Sequence, residues 1–219
     1  MRKVSNRLVL RLVTGVLPFY LFALSPLFTS CKEEDDTQKV EYPYWQSKND
    51  SYFSNLVSEA TAKINAGSTT WKLMPAFNKP TQEYVYQYYD YVVAEELTPN
   101  TYIGTGNTPY VTDSVEVHYI GRLLPSESYA TGKIFDYSYE LPYDAEASSP
   151  VRFAVGDMTK GFATAMLYMH RGDYWRIYVP YPLGYGSTDY SNIPAYSTLI
   201  FDVTLVDFWR KVRGDRDED

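Results

Sequence analysis

Between Val115 and Leu124 apolar and polar side chains alternate. Val115, Val117 and Tyr119 fall on one face and Glu116 and His118 on the other, the two-residue period of a half-buried strand. Thr198 to Phe208 repeats the pattern, with Leu199, Phe201, Val203 and Leu205 on the core face, and Tyr174 to Val179 repeats it with Trp175, Ile177 and Val179. Val151 to Val155 reads as a short strand, Tyr84 to Leu97 as a longer one and Trp71 to Phe77 as a short extended piece. The period changes twice. From Asn49 to Ala66, Tyr52, Phe53, Leu56, Val57, Ala60 and Ile64 recur every three or four residues, which predicts an amphipathic helix. Asn49 or Asp50 can cap it and Gly67 can end it. It is expected to pack on its own domain, the alternative being a docking or dimerisation helix. Phe162 to Met169 predicts a short helix presenting Phe162, Ala165, Met166 and Met169. Many strands and few helices make an antiparallel α+β domain. The stretch 180–196 is longer than a connector needs to be, which points to function.

The N-terminus departs from this pattern. Arg2, Lys3, Arg7 and Arg11 precede an apolar run from Leu12 to Phe28, and Thr29 and Ser30 lead to Cys31. That order predicts a signal peptide over 1–30. Cys31 is the only cysteine, so no disulfide can form within the chain. Its position resembles a bacterial lipobox, with Phe28 where Leu is usual, and this implies lipidation of Cys31. The acidic run Lys32-Glu33-Glu34-Asp35-Asp36 reads as a solvated tether over 31–45. It also resembles the surface-export signal of Bacteroidetes lipoproteins, which implies an outer-membrane anchor, with the cell surface ahead of the periplasmic face.

Composition then narrows the chemistry. A net charge of −7 and no basic stripe in the part after Cys31 argue against nucleic-acid binding. The two histidines, His118 and His170, have no cysteine beside them, so no metal site is expected. No nucleophile sits beside a base, and Gly184 and Gly186 lack the Lys-Ser or Lys-Thr of a phosphate loop. The 23 tyrosines suit strands, with an aromatic ligand surface as the alternative. What remains is an aromatic pocket that works by shape and dryness.

Three phrases give that pocket a family. Val117-His118-Tyr119-Ile120-Gly121, Gly132-Lys133-Ile134-Phe135-Asp136 and Leu183-Gly184-Tyr185-Gly186, running on to Ile193-Pro194, occur in the order and near the spacing of the FKBP-type peptidyl-prolyl cis-trans isomerases. From about Tyr84 to Trp209 the chain resembles that family. The resemblance implies an FKBP-like twisted antiparallel sheet of about five strands wrapped around one short helix. It gives Tyr119, Phe135, Asp136, Tyr185 and Phe201 the catalytic positions, Tyr185 as hydroxyl donor. Val151, Met158, Thr159, Phe162 and Ile193 take the substrate-binding positions, with Met158 a wall, the Thr159 N–H a donor and Phe162 the floor. Phe162 stands where Trp is commonest, Thr159 where Ile is usual, Val151 where Phe is frequent, and Ala195-Tyr196 where a second Pro and its neighbour are usual.

The implied activity is isomerisation of X–Pro bonds in exported polypeptides, without a cofactor, with macrolides as potential inhibitors. A non-catalytic FKBP-fold binding module on the cell surface is the alternative. A third reading is a sugar- or peptide-binding lipoprotein, for which the tyrosines of 180–196 would lie flat and exposed. The domain plan is a signal peptide (1–30), tether (31–45), N-terminal helical extension (46–83), isomerase domain (84–209) and charged tail (210–219).

Overall fold

The computed structural model describes residues 41–80, 82–97, 107–139 and 148–210. The signal peptide, Cys31, most of the tether and the end of the tail lie outside these residues. Among the described residues seven strands form one sheet: β1 (Trp71–Pro75), β2 (Tyr91–Glu96), β3 (Ser114–Arg122), β4 (Ile134–Tyr137), β5 (Val151–Ala154), β6 (Tyr174–Val179) and β7 (Leu199–Trp209). Their order is β1-β2-β6-β7-β3-β4, and every pairing is antiparallel. Strand β3 is shared: β5 pairs with Ser114–Val117 and β4 with Ile120–Arg122, while β7 runs along its other edge. The two strands beyond the expected five are β1 and β4, at opposite edges of the order, so the segment 46–83 supplies a strand as well as a helix.

Among the described residues, two α-helices cover opposite faces of the sheet. α1 (Trp45–Asn65) buries Phe53, Leu56 and Ala60, the three-and-four spacing that predicts it. Its Tyr52 ring lies 6.5 Å from that of Tyr178. α2 (Lys160–Met166) packs on the other face, because a Cβ at Gly161 would stand 2.3 Å from a methyl of Val179, and successive strand residues point to opposite sides. α1 therefore packs on the same body as the sheet, not away from it.

Two boundaries and one burial differ from expectation for physical reasons. α1 begins at Trp45, after Tyr44 in the left-handed region (φ 53), and Asn49 sits inside the first turns with its amide bonded to the Trp45 carbonyl within the helix and to the Thr198 N–H across the fold. Gly67 does end the helix, at φ +92, its N–H bonding the Ile64 carbonyl at 2.9 Å. The stretch from Tyr84 becomes a strand only at Tyr91. Before it, the buried Asp90 carboxylate accepts the Gln87 N–H (2.9 Å) and the Tyr84 hydroxyl (3.1 Å) and pairs with Lys79 (2.6 Å), closing a 3₁₀ turn over Tyr88–Asp90. His118, expected on the polar face of β3, is buried there (7% exposed), and burial lowers its pKa.

Candidate functional site

A cavity of ≈ 270 Å³ opens on the α2 face of the sheet. Strand alternation builds its floor. Tyr119 pairs with Val203 and Gly121 with Phe201, so Tyr119 and Phe201 project to one side of neighbouring strands. Phe162, in the first turn of α2, meets them: its ring is edge-on to Phe201 at 4.9 Å and to Tyr119 at 6.1 Å. Gly121 makes room, since a Cβ there would lie 2.7 Å from Phe135 and 2.8 Å from Phe201.

Polar groups line the rim. The Tyr119 hydroxyl donates to Asp136 Oδ2 at 2.7 Å, and Asp136 Oδ1 accepts the Tyr137 N–H at 2.9 Å. Burial, and then the bond to Asp136, push the Tyr119 hydroxyl well above the usual tyrosine range. Tyr185 also lines the cavity, its hydroxyl pKa raised by burial first and then by Tyr190 and Asp136. Both phenols are therefore protonated at neutral pH. The Thr159 N–H, at the cap of α2, has no backbone partner among the described residues. No group of His, Cys, Asp or Glu among those residues could hold a metal ion.

Of the residues expected at the site, Tyr119, Asp136, Met158, Thr159, Phe162, Tyr185 and Phe201 line this one cavity. Phe135, Val151 and Ile193 do not. Phe135 lies edge-on to Phe201 at 5.5 Å and packs against that ring. Val151 pairs with Val117 at the start of β5, two residues short of the wall. Ile193 is buried in the core (4% exposed) and forms a bridge with Tyr190. The wall is instead completed by Phe153, Ala154, Asp157 and Tyr190. Phe153 shares the face of Val151 and lies 6.0 Å from Tyr119, so alternation along β5 carried its signal. The tyrosines of 180–196 divide: Tyr185 and Tyr190 stack at 4.3 Å on the cavity, and Tyr181 and Tyr196 pack edge-on at 5.1 Å.

A family model described as FKBP-type peptidyl-prolyl cis-trans isomerase matches residues 106–206. Through this segment the chain is similar to the FKBP family. All the cavity-lining residues fall inside the FKBP segment, whereas α1, β1 and β2 precede it. The macrophage infectivity potentiator of Trypanosoma cruzi is 39% identical over 105 residues, covering 47% of this chain and 47% of that protein. The FKBP-type 22 kDa peptidyl-prolyl cis-trans isomerase of Escherichia coli is 33% identical over 105 residues, 48% of this chain and 45% of its own. The chain thus spans about half the length of these curated relatives. A peptidyl-prolyl cis-trans isomerase from Pseudomonas syringae pv. tomato, solved by crystallography, overlays 73% of this chain and 96% of its own at 24% identity, with a TM-score of 0.47.

Proposed function

We propose that the protein is a peptidyl-prolyl cis-trans isomerase acting on proline-containing polypeptides. The observation that carries this is one aromatic cavity, floored by Tyr119, Phe162 and Phe201, with the hydroxyl of Tyr185 on its wall. Rotation about an X–Pro bond breaks no covalent bond but must give up amide resonance, a barrier of ~18–20 kcal/mol. The twisted amide has less charge separation than the planar one. An apolar cup that excludes water therefore favours it over the ground state. The Tyr185 hydroxyl and the Thr159 N–H are donors placed to orient the carbonyl beside the proline. Asp136 fixes the Tyr119 ring through its hydroxyl rather than acting as a base. An acceleration of ~10⁴ needs about 5.4 kcal/mol, within reach of desolvation and a few hydrogen bonds.

The substrates in this proposal are exported polypeptides, in which X–Pro isomerisation over tens of seconds limits folding. The basic start, apolar run and Cys31 support a lipid anchor in the outer membrane, with the surface ahead of the periplasmic face. A macrolide would compete for the same cavity. The activity is tested by a protease-coupled assay on an X–Pro tetrapeptide. Acceleration over the spontaneous rate, lost in Phe162→Ala, is the expected result. Acceleration that survives Phe162→Ala unchanged would place the activity elsewhere.

A further inference from the structure

Loop 180–197 carries Tyr185 and Tyr190, but its far end is held by a helix outside the FKBP segment. Asn49 of α1 is 1% exposed. Its Oδ1 accepts the Thr198 N–H at 2.7 Å, and its Nδ2 donates to the Trp45 carbonyl at 2.7 Å. One turn earlier, the Trp45 indole N–H donates to Ser197 Oγ at 2.8 Å, and that hydroxyl donates to the Pro194 carbonyl at 2.6 Å. Pro194 follows Ile193, whose backbone exchanges two hydrogen bonds with Tyr190 at 2.9 and 3.0 Å. Tyr190 in turn stacks on Tyr185. An unbroken series of bonds runs from α1 to the rings on the cavity wall.

Two further observations fit a loop held from outside. Ser191 and Tyr196 have φ of 53 and 62, a region that bulky residues leave unless neighbours fix them. Asn49 is a buried amide, costly unless bonded, and both its bonds are within this series. α1 would need only an apolar residue at that position to pack on the sheet.

We propose that Trp45 and Asn49 are positioning residues for the cavity, holding loop 180–197 so that Tyr185 and Tyr190 face the bound X–Pro segment. This rests on the isomerase reading above. The experiment compares the wild-type full chain with Asn49→Ala and Trp45→Phe by amide hydrogen exchange and by kcat/KM on an X–Pro tetrapeptide. Trp45→Phe keeps an aromatic ring at the site while removing the indole N–H, and Asn49→Ala leaves Trp45 intact, so each variant guards against the other failing to fold. Exchange at Tyr190, Ile193 and Tyr196 should rise while β6 stays as in wild type. The kcat/KM should fall about 2- to 12-fold, the factor for one lost hydrogen bond. In a Tyr185→Phe background the same substitutions should cost less, because part of their effect passes through that ring. Loop exchange as in wild type, exchange that rises equally in β6, or an unchanged kcat/KM despite faster loop exchange would each overturn the proposal. If the wild type itself accelerates nothing, the isomerase reading falls. The exchange pattern then judges the clamp alone, a rise confined to the loop supporting it and any other pattern overturning it.

Discussion

Gly121 is a residue at which the cavity tolerates little change. A methyl there would press on Phe135 and Phe201 at under 3 Å, and both rings are held edge-on to each other. Gly121→Ala should cost about 1–3 kcal/mol of stability and displace the Phe201 wall, read by thermal denaturation together with isomerase activity. Tyr185→Phe is a gentler change. It removes the hydroxyl proposed to orient the substrate carbonyl, a hydrogen bond of about 0.5–1.5 kcal/mol, so kcat/KM should fall roughly 2- to 12-fold with the melting temperature little altered. At this scale much of the site was legible, because Tyr119, Asp136, Tyr185 and Phe201 sit in short phrases that keep their order and spacing. Tyr190 was not. Its place on the wall depends on a backbone bridge to Ile193 and a stack on Tyr185, contacts formed only when the loop turns back on itself. The resemblance gives Phe135 a pocket position, and the bulge where β4 meets Gly121 and Arg122 keeps its ring on the side of Phe201. Asp136 lines the cavity and Phe135 packs edge-on against Phe201 beside it.

Elements were easier to foresee than their ends. The apolar spacing of Phe53, Leu56 and Ala60 locates α1, but not the helix start, because Asn49 resembles a cap while its amide is bonded to Thr198 and to the Trp45 carbonyl. The alternation of Tyr and Val from Tyr84 onward conceals a 3₁₀ turn, because a single buried carboxylate outweighs strand propensity. Asp90 illustrates the energetics. Burial alone would raise its pKa, but the bonds from Lys79, the Gln87 N–H and Tyr84 more than offset that, and the net shift is downward. A carboxylate with a depressed folded pKa contributes stability above its unfolded value of about 3.9, lost as pH falls through the folded value. Asp90→Ala should therefore destabilise the protein by about 1.5–3 kcal/mol at neutral pH, since it removes the charge-assisted bonds that close the turn while the donors keep access to water. The difference from wild type should shrink in denaturant melts taken below about pH 4.

Across the whole molecule, one sheet carries two different burdens. Its α2 face holds the cavity, and its other face is covered by α1, which precedes the FKBP segment. The helix was visible in the sequence, but its bonds to Ser197 and Thr198 span some 150 residues of chain, a separation no periodicity reports. The N-terminal expectation makes a separate prediction. Protein extracted from native membranes should begin at a lipidated Cys31, and mass spectrometry finding Met1 intact or Cys31 unmodified would count against it. The central claim, that the aromatic cavity itself turns X–Pro bonds, is tested most directly by NMR exchange spectroscopy on an X–Pro peptide with catalytic amounts of the protein. The prediction is accelerated cis–trans exchange, accompanied by peptide-induced shifts at Tyr119, Thr159, Tyr185 and Phe201. Shifts at those residues with exchange no faster than in the free peptide would contradict it, leaving a cavity that binds proline without isomerising it.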